Sequence, residues 1–344
     1  MSSFTSTLSS SLNDLTTYLS SLSPKPSPSL HCQICETICS HLSSLDSLIP
    51  PTPCNEDPTS DPVEAWEHLM IPYLNSINLP YESLPFKVTL NPTYNCLGLT
   101  ATQKKILLRI PVKNMITPSL ESQTSDKAYL KYLKTLESLH PTIQLTLILL
   151  YNLKNSSAPH NLYAHSLPKS YTTSCAWSSS VYKNVMSSIG YEEFMKALKP
   201  RIMLLRYYLT LNLPHSLSDF LWALSAILSR QNNIMISSCH SEIGLTPVWD
   251  MMNHAQLDKA VISYIEKGEE GFELVTEGKR DYEIGENVDM FYGDRGNSDL
   301  LVSSGFVIPV ENFEGQKDDV KAWMRIWKED GLGKMKVRSR LGAQ

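Results

Sequence analysis

No run of eighteen apolar residues occurs in the 344-residue sequence, so no segment has the length and hydropathy of a bilayer-spanning helix. Basic charge is not in excess either. The formal net charge of −5 argues against nucleic acid or an anionic membrane surface as partner, since both select a basic face. The amino-terminal residues have no cationic start and no long apolar stretch, so a secretory signal is not expected. Their lack of Arg weakens a mitochondrial-transit reading. No glycine-rich fingerprint follows any apolar run, which disfavours a parallel dinucleotide-binding sheet, and no internal repeat is visible. These absences leave a soluble, cytoplasmic protein as the expectation, with the nucleus as a second compartment.

What is present is ample core material. With 42% hydrophobic and 19% charged residues, the chain can form two packed units or one domain with a large insertion. Seven cysteines include Cys32, Cys35 and Cys39, with His31, His41 and Cys54 close by. Such a cluster can be a zinc site, but no second tight pair completes four ligands. The favoured reading is one face of a helix shared with Ile38 and Leu42, and no metal is expected. The odd count and the scattered Cys96, Cys175 and Cys239 point to reduced thiols.

Five stretches follow from the patterning. Residues 1–61 are rich in Ser, Thr and Pro; the first thirty are expected to form a mobile tail, with a short helix over 31–48. Residues 62–125 begin with a helix start, Ser60 or Asp61 as cap, Pro62 early and Glu64 in the first turn. Short strands follow over 84–117, where Phe86, Val88 and Leu90 alternate and Ile106, Leu107 and Leu108 lead into Ile110 and Pro111.

Residues 126–240 read as a helical insertion, helical to about residue 231. Tyr129, Leu130, Tyr132, Leu133, Leu136 and Leu139 recur at helical spacing, and Pro141 restarts the chain. Further helices are expected over 191–211, broken or kinked at Pro200, and over 216–230, capped by Ser216 after a turn at Asn212 and Pro214. Residues 241–309 return to strands over 261–265, 272–275 and 288–292. Residues 310–344 form a short tail whose basic run, 334–340, reads as a solvated face. Strands, a helical insertion, then strands again is an α+β pattern without βαβ alternation.

The chemistry concentrates in two segments. Thr246, Pro247, Val248, Trp249, Asp250, Met251, Met252, Asn253 and His254 form the first; Phe291, Tyr292, Gly293, Asp294, Arg295, Gly296 and Asn297 form the second. Alone, Asn253-His254 could be a strand-end turn and Tyr292-Gly293 a buried aromatic before a bend. Arg230, Gln231 and Asn232 precede both, and Ser303, Ser304, Gly305 and Phe306 follow.

A strand ending in Asn-His, a hairpin, then an aromatic-Tyr-Gly segment resembles the paired signature of SET-domain methyltransferases, whose two segments cross in a knot-like arrangement beside the methyl-transfer channel. The four-part order is similar to the subgroup of Rubisco large-subunit methyltransferase and actin-histidine methyltransferase. The Arg-Gln-Asn triplet and the Trp-Asp-Met-x-Asn-His run favour the actin-histidine branch. The resemblance spans residues 62–309, so that 62–125 and 241–309 correspond to the two parts of the SET domain.

The resemblance implies S-adenosylmethionine as cofactor and a protein, actin, as substrate. Arg230 corresponds to the arginine that pairs with the cofactor carboxylate, a contact suited to a guanidinium fork. Asp250, Met251, Met252, Asn253 and His254 correspond to the loop holding its methionyl end and adenine, and Ser304, Gly305 and Phe306 to a further contacting stretch. Asn232, Tyr292 and Arg295 correspond to the acceptor side, where an uncharged nitrogen must face the methyl group.

Two departures accompany the resemblance. Where the subgroup reads Gly-x-Gly-Leu, an acidic-rich turn and then Glu-Leu-Phe, this chain has Asn95, Cys96, Leu97, Gly98 and Leu99, a shortened turn, and Lys105 in place of a cofactor-contacting glutamate. A cation cannot accept the bonds that a carboxylate takes. After Pro309 the sequence also lacks the length of the subgroup's helical carboxy-terminal domain. Two alternatives therefore stand beside the histidine reading: a protein-lysine methyltransferase, and a catalytically weak SET-like protein that binds a partner.

Overall fold

The computed structural model describes residues 3–22, 28–48, 61–91, 96–121, 125–186, 191–211, 215–237, 239–268 and 271–308. Helices α1 (Ser3–Ser21), α2 (Pro28–Asp46) and α3 (Pro62–Ser76) precede strands β1 (Phe86–Asn91), β2 (Cys96–Ala101) and β3 (Leu107–Pro111). Helices α4 (Pro118–Glu121), α5 (Lys127–Lys134), α6 (Pro141–Lys154), α7 (Asn161–Ser166), α8 (Ser179–Met186), α9 (Tyr191–Leu211) and α10 (Leu217–Arg230) follow. The chain then forms β4 (Asn232–Ser237), β5 (His240–Gly244), β6 (Asn253–His254), β7 (Ile262–Gly268), β8 (Gly271–Glu277) and β9 (Asp289–Met290), ahead of α11 (Asn297–Ser304). Two units result: Met1–Asn55, Lys169–Ser229 and Arg295–Gln344 make one, Glu56–Pro168 and Arg230–Asp294 the other.

The first unit is helical among the described residues. Its α1 occupies residues expected to be a mobile tail, and the reason is periodicity. Leu8, Leu12 and Leu15 are buried at alternating spacings of four and three, so a Ser/Thr-rich segment still carries one continuous apolar stripe. That stripe packs on α2, where Ile34, Cys35, Ile38, Cys39, Leu42 and Leu45 are buried. The cysteine face is thus a packing face at Cys35 and Cys39; the side chains of His31 and Cys32, and all of Cys54, lie outside the described residues. Burial pushes the Cys39 thiol up to about 11 and raises that of Cys175 as well, as in unreactive core thiols.

Helix α9 runs unbroken through Pro200. Next to that proline, Arg201 donates to the carbonyls of Cys175 (3.2 Å) and Trp177 (2.6 Å) and to Asp46 Oδ1. The expected turn at Asn212 and Pro214 and the basic run at 334–340 lie outside the described residues.

The second unit holds all the described strands. Asp61 caps α3 by accepting from the Val63 amide (2.8 Å), with Pro62 at its first position. Asp126 caps α5 in the same way, accepting from Ala128 and Tyr129. Helix α5 ends at Lys134, short of Leu139, and α6 begins at Pro141. Ile143, Leu145, Leu147, Ile148, Leu149 and Leu150 are all buried, so α6 is a core helix enclosed on most sides.

Strands β1 and β2 form an antiparallel hairpin, and β3, β8 and β7 an antiparallel sheet in that order. Phe86 and Val88 point into the core as expected, whereas Leu90, one residue before the last pair of the hairpin, Asn91 with Cys96, is 40% exposed. Residues 232–244 contain an antiparallel hairpin, β4–β5, which begins in the last part of the expected insertion, after the helices expected to end near residue 231, and runs beyond residue 240. Its pattern is faint because Ile234 is buried while its neighbour Met235 is exposed. The segment before Asn253 is a 3-10 turn, Trp249–Met251, and not the expected strand.

Candidate functional site

The site grows from the loop between β5 and β6. Leu245 is bridged to Ile116, which anchors the loop's entry. Val248 then adopts φ 71° and ψ −54°, the geometry of a positive-φ γ-turn, and it is fully buried. That conformation is costly for a β-branched residue and persists only where surrounding contacts dictate it. Those contacts follow at once. Trp249 Nε1 donates to Ser263 Oγ (3.0 Å), and Ser263 bonds Thr276 (2.8 Å), pinning the loop to the β7–β8 sheet.

Immediately afterwards Asp250 is buried, with a side chain 1% exposed. Its Oδ2 accepts from Tyr163 Oη (2.5 Å) and lies 3.5 Å from Arg230 Nη1. Arg230 Nη1 also donates to the Asp250 carbonyl (2.9 Å), so one guanidinium nitrogen holds both main chain and side chain of the same residue. Burial raises the Asp250 carboxyl above its ordinary value, opposed first by the charge of Arg230 and then by the Tyr163 hydrogen bond.

The loop exit meets the second signature segment. Strand β6 pairs in parallel with β9, Asn253 opposite Asp289 and His254 opposite Met290. The pairing continues as Ala255 N donating to Met290 O (2.9 Å). The Tyr292 amide donates to His254 Nδ1 (3.1 Å), which leaves Nε2 as the protonated nitrogen of a neutral ring. Tyr292 Oη donates to Met252 O (2.9 Å), and its ring lies 5.2 Å from that of His254. On the other side, Asn253 Nδ2 donates to Leu97 O (3.4 Å). A Cβ built on Gly98 would fall 2.5 Å from Asn253 Nδ2, so any other residue there would displace the Asn253 amide from its place.

The structure therefore brings Arg230, Asp250, Met251, Met252, Asn253, His254 and Tyr292 together in one unit. Asn232 joins them at the start of β4, its Nδ2 donating to Arg230 O (2.9 Å). Arg295, Ser304, Gly305 and Phe306 belong to the other unit. There Arg295 lies 3.5 Å from Ser303 Oγ, Gly305 caps α11 at φ 75°, and Phe306 is buried. Lys105 is 80% exposed and forms an ion pair with Asp281, whose carboxyl is held low by the lysine's hydrogen bond and charge. Tyr163 escaped the sequence reading: 87 residues separate it from Asp250, and nothing in the run around it marks a partner.

No family model matches the chain. It is 24% identical over 257 residues to an actin-histidine N-methyltransferase of Danio rerio, a match covering 70% of this chain and 42% of that protein. Actin-histidine N-methyltransferases of Canis lupus familiaris (31%) and Homo sapiens (30%) match over 120 residues, 35% of this chain and 19% of theirs. The chain thus spans less than half the length of the curated relatives it matches. Among solved structures it resembles Rubisco LSMT bound to sinefungin and monomethyllysine, with TM-score 0.56, 19% identity and coverage of 74% of this chain and 58% of that one. The SET domain of LSMT bound to lysine and AdoHcy gives TM-score 0.53, again at 19% identity, covering 74% and 62%. The chain has the SET-domain fold and is a sequence relative of the actin-histidine N-methyltransferases.

Proposed function

We propose that the chain is an S-adenosylmethionine-dependent protein methyltransferase acting on a histidine of actin, and that it works in the cytoplasm. The observation that carries the reading is the parallel pairing of β6 with β9, which sets Tyr292 against both His254 and Met252. The names of the relatives and the ligands of the structural neighbours supply the class of reaction.

The residues fit the cofactor at its amino-acid end. Arg230 is 10% exposed and suits a carboxylate, while Asp250 Oδ1 is a buried acceptor with no hydrogen-bond partner, as an N–H donor requires. When bound, S-adenosylmethionine supplies an electrophilic methyl group on sulfur. Lys105, turned to solvent and Asp281, takes no part in this end of the site.

On the acceptor side, imidazole with a reference pKa near ~6.5 is largely neutral at physiological pH, so tautomer control matters more than a strong base. With Nδ2 committed to the Arg230 carbonyl, Asn232 offers its Oδ1 to an imidazole N–H. That bond would leave the other ring nitrogen with its lone pair toward the methyl group. Tyr292, fixed by Met252 O, forms one wall of the same region.

The test is to incubate the full chain with isotopically labelled S-adenosylmethionine and purified actin, then locate the label by mass spectrometry. Label on a histidine, reduced about 100-fold by Asn232→Ala, is the expected result. Label on lysine alone would replace the histidine reading with the lysine one. Cofactor binding with no label on actin would favour the partner-binding reading.

A further inference from the structure

Arg230 and Asp250 sit in motifs that the sequence itself advertises; the residue that holds them does not. Tyr163 lies on α7 and is buried, and its hydroxyl donates to Asp250 Oδ2 at 2.5 Å. Of the two carboxylate oxygens, Tyr163 and Arg230 both engage Oδ2, while Oδ1 has no hydrogen-bond partner. A carboxylate with a free χ2 could present either oxygen to either neighbour. The phenol removes that freedom.

Tyr163 is itself fixed by a buried polar chain. Its ring packs on Tyr73 at 5.9 Å between centroids, and Tyr73 Oη bonds His160 Nδ1 (2.8 Å). His160 Nε2 bonds Glu121 Oε1 (2.7 Å), whose other oxygen accepts from Tyr129. The His160 amide donates to Asn152 Oδ1 (2.9 Å), which ties the start of α7 to the core helix α6. Polar groups satisfied in this way inside a core rigidify their surroundings. Four separate helices therefore locate one hydroxyl group, far more support than a surface phenol receives.

We infer that Tyr163 is a positioning residue for the amino-acid end of the cofactor: it fixes the Asp250 carboxylate, and through it the Arg230 guanidinium, in the orientation that receives the ligand's carboxylate and ammonium. This rests on the cofactor assignment above. Its consequence is specific to one end of the ligand. The adenosine end, which has neither carboxylate nor ammonium, should not register the loss of the Tyr163 hydroxyl.

Two ligands separate that role from a merely structural one. S-adenosylhomocysteine carries the amino-acid end; 5′-methylthioadenosine lacks it. Titration calorimetry of the full chain and of Tyr163→Phe should show S-adenosylhomocysteine weakened about tenfold and methylthioadenosine changed by less than about twofold. Adding Tyr163→Phe to Asp250→Ala should cost no further affinity for S-adenosylhomocysteine, since the hydroxyl acts only through that carboxylate. Equal weakening of both ligands, or none of either, overturns the inference, as does an additive double variant. If the unaltered chain binds neither ligand, the cofactor assignment itself is wrong and the inference falls with it. Methylthioadenosine binding by Tyr163→Phe also reports that the variant is folded.

Discussion

Each unit holds an arginine–aspartate pair with one buried partner, and the two pairs are finished differently. In the helical unit, Asp46 uses both oxygens: Oδ1 accepts from Arg201 and Oδ2 from the Ser179 amide (2.5 Å). Arg201 spends a further nitrogen on two main-chain carbonyls. In the strand-bearing unit, Asp250 directs one oxygen to Tyr163 and Arg230 and leaves the other without a hydrogen-bond partner. Both aspartates sit beside an arginine in a place where a lone charge is expensive. A carboxylate whose bonds are all internal is a staple between segments distant in sequence. One whose second oxygen is left over can still accept a donor.

The comparison can be broken at its stronger end first. Arg201→Ala leaves Asp46 partly buried without its cation, and a loss of about 3–5 kcal/mol in urea-measured stability is expected. A loss no larger than that of an exposed arginine would mean the pair is not the staple its geometry indicates. The other pair is sharpened by pH. Asp250 binds its proton more tightly folded than unfolded, so its contribution to stability is greatest below the ordinary carboxylate range and declines as pH rises through the raised value. Urea curves of the unaltered chain and Asp250→Asn should therefore show the unaltered chain losing ground to the variant as pH rises above the ordinary carboxylate range. A constant difference would remove the buried titration. The smallest effect belongs to Lys105→Glu. Because Lys105 is exposed and paired with Asp281, S-adenosylhomocysteine affinity should stay within about twofold, as for other surface changes. A marked tightening would put position 105 at the cofactor after all.

Much of this arrangement could be read from the sequence, and what could not has physical reasons. The helix cap at Asp61, the core helix after Pro141 and the two signature segments each announce themselves within a few residues. Helix α1 was hidden because its serines and threonines dominate composition while three leucines set its packing. The β4–β5 hairpin was hidden because its exposed residues break the alternation that marks a half-buried strand. At the site, the sequence names Arg230, Asn253, His254 and Tyr292 but gives no sign of the positive φ at Val248 or of Tyr163. Both are decided by contacts between remote segments, and no local pattern encodes those.

The parallel pairing of β6 with β9 has a consequence for the order in which the chain acquires its parts. Asn253 meets Asp289 across a long intervening excursion, and it meets Leu97 from 156 residues away. Contacts of that separation form late, because the entropy of closing their loops is lost before any contact rewards it. Helices such as α6 and α10 need only their own neighbours and can form early. A refolding chain should thus regain its helical signal well before it can hold a ligand. Ligand present from the start would then act only on the last step, trapping finished molecules rather than hastening unfinished ones.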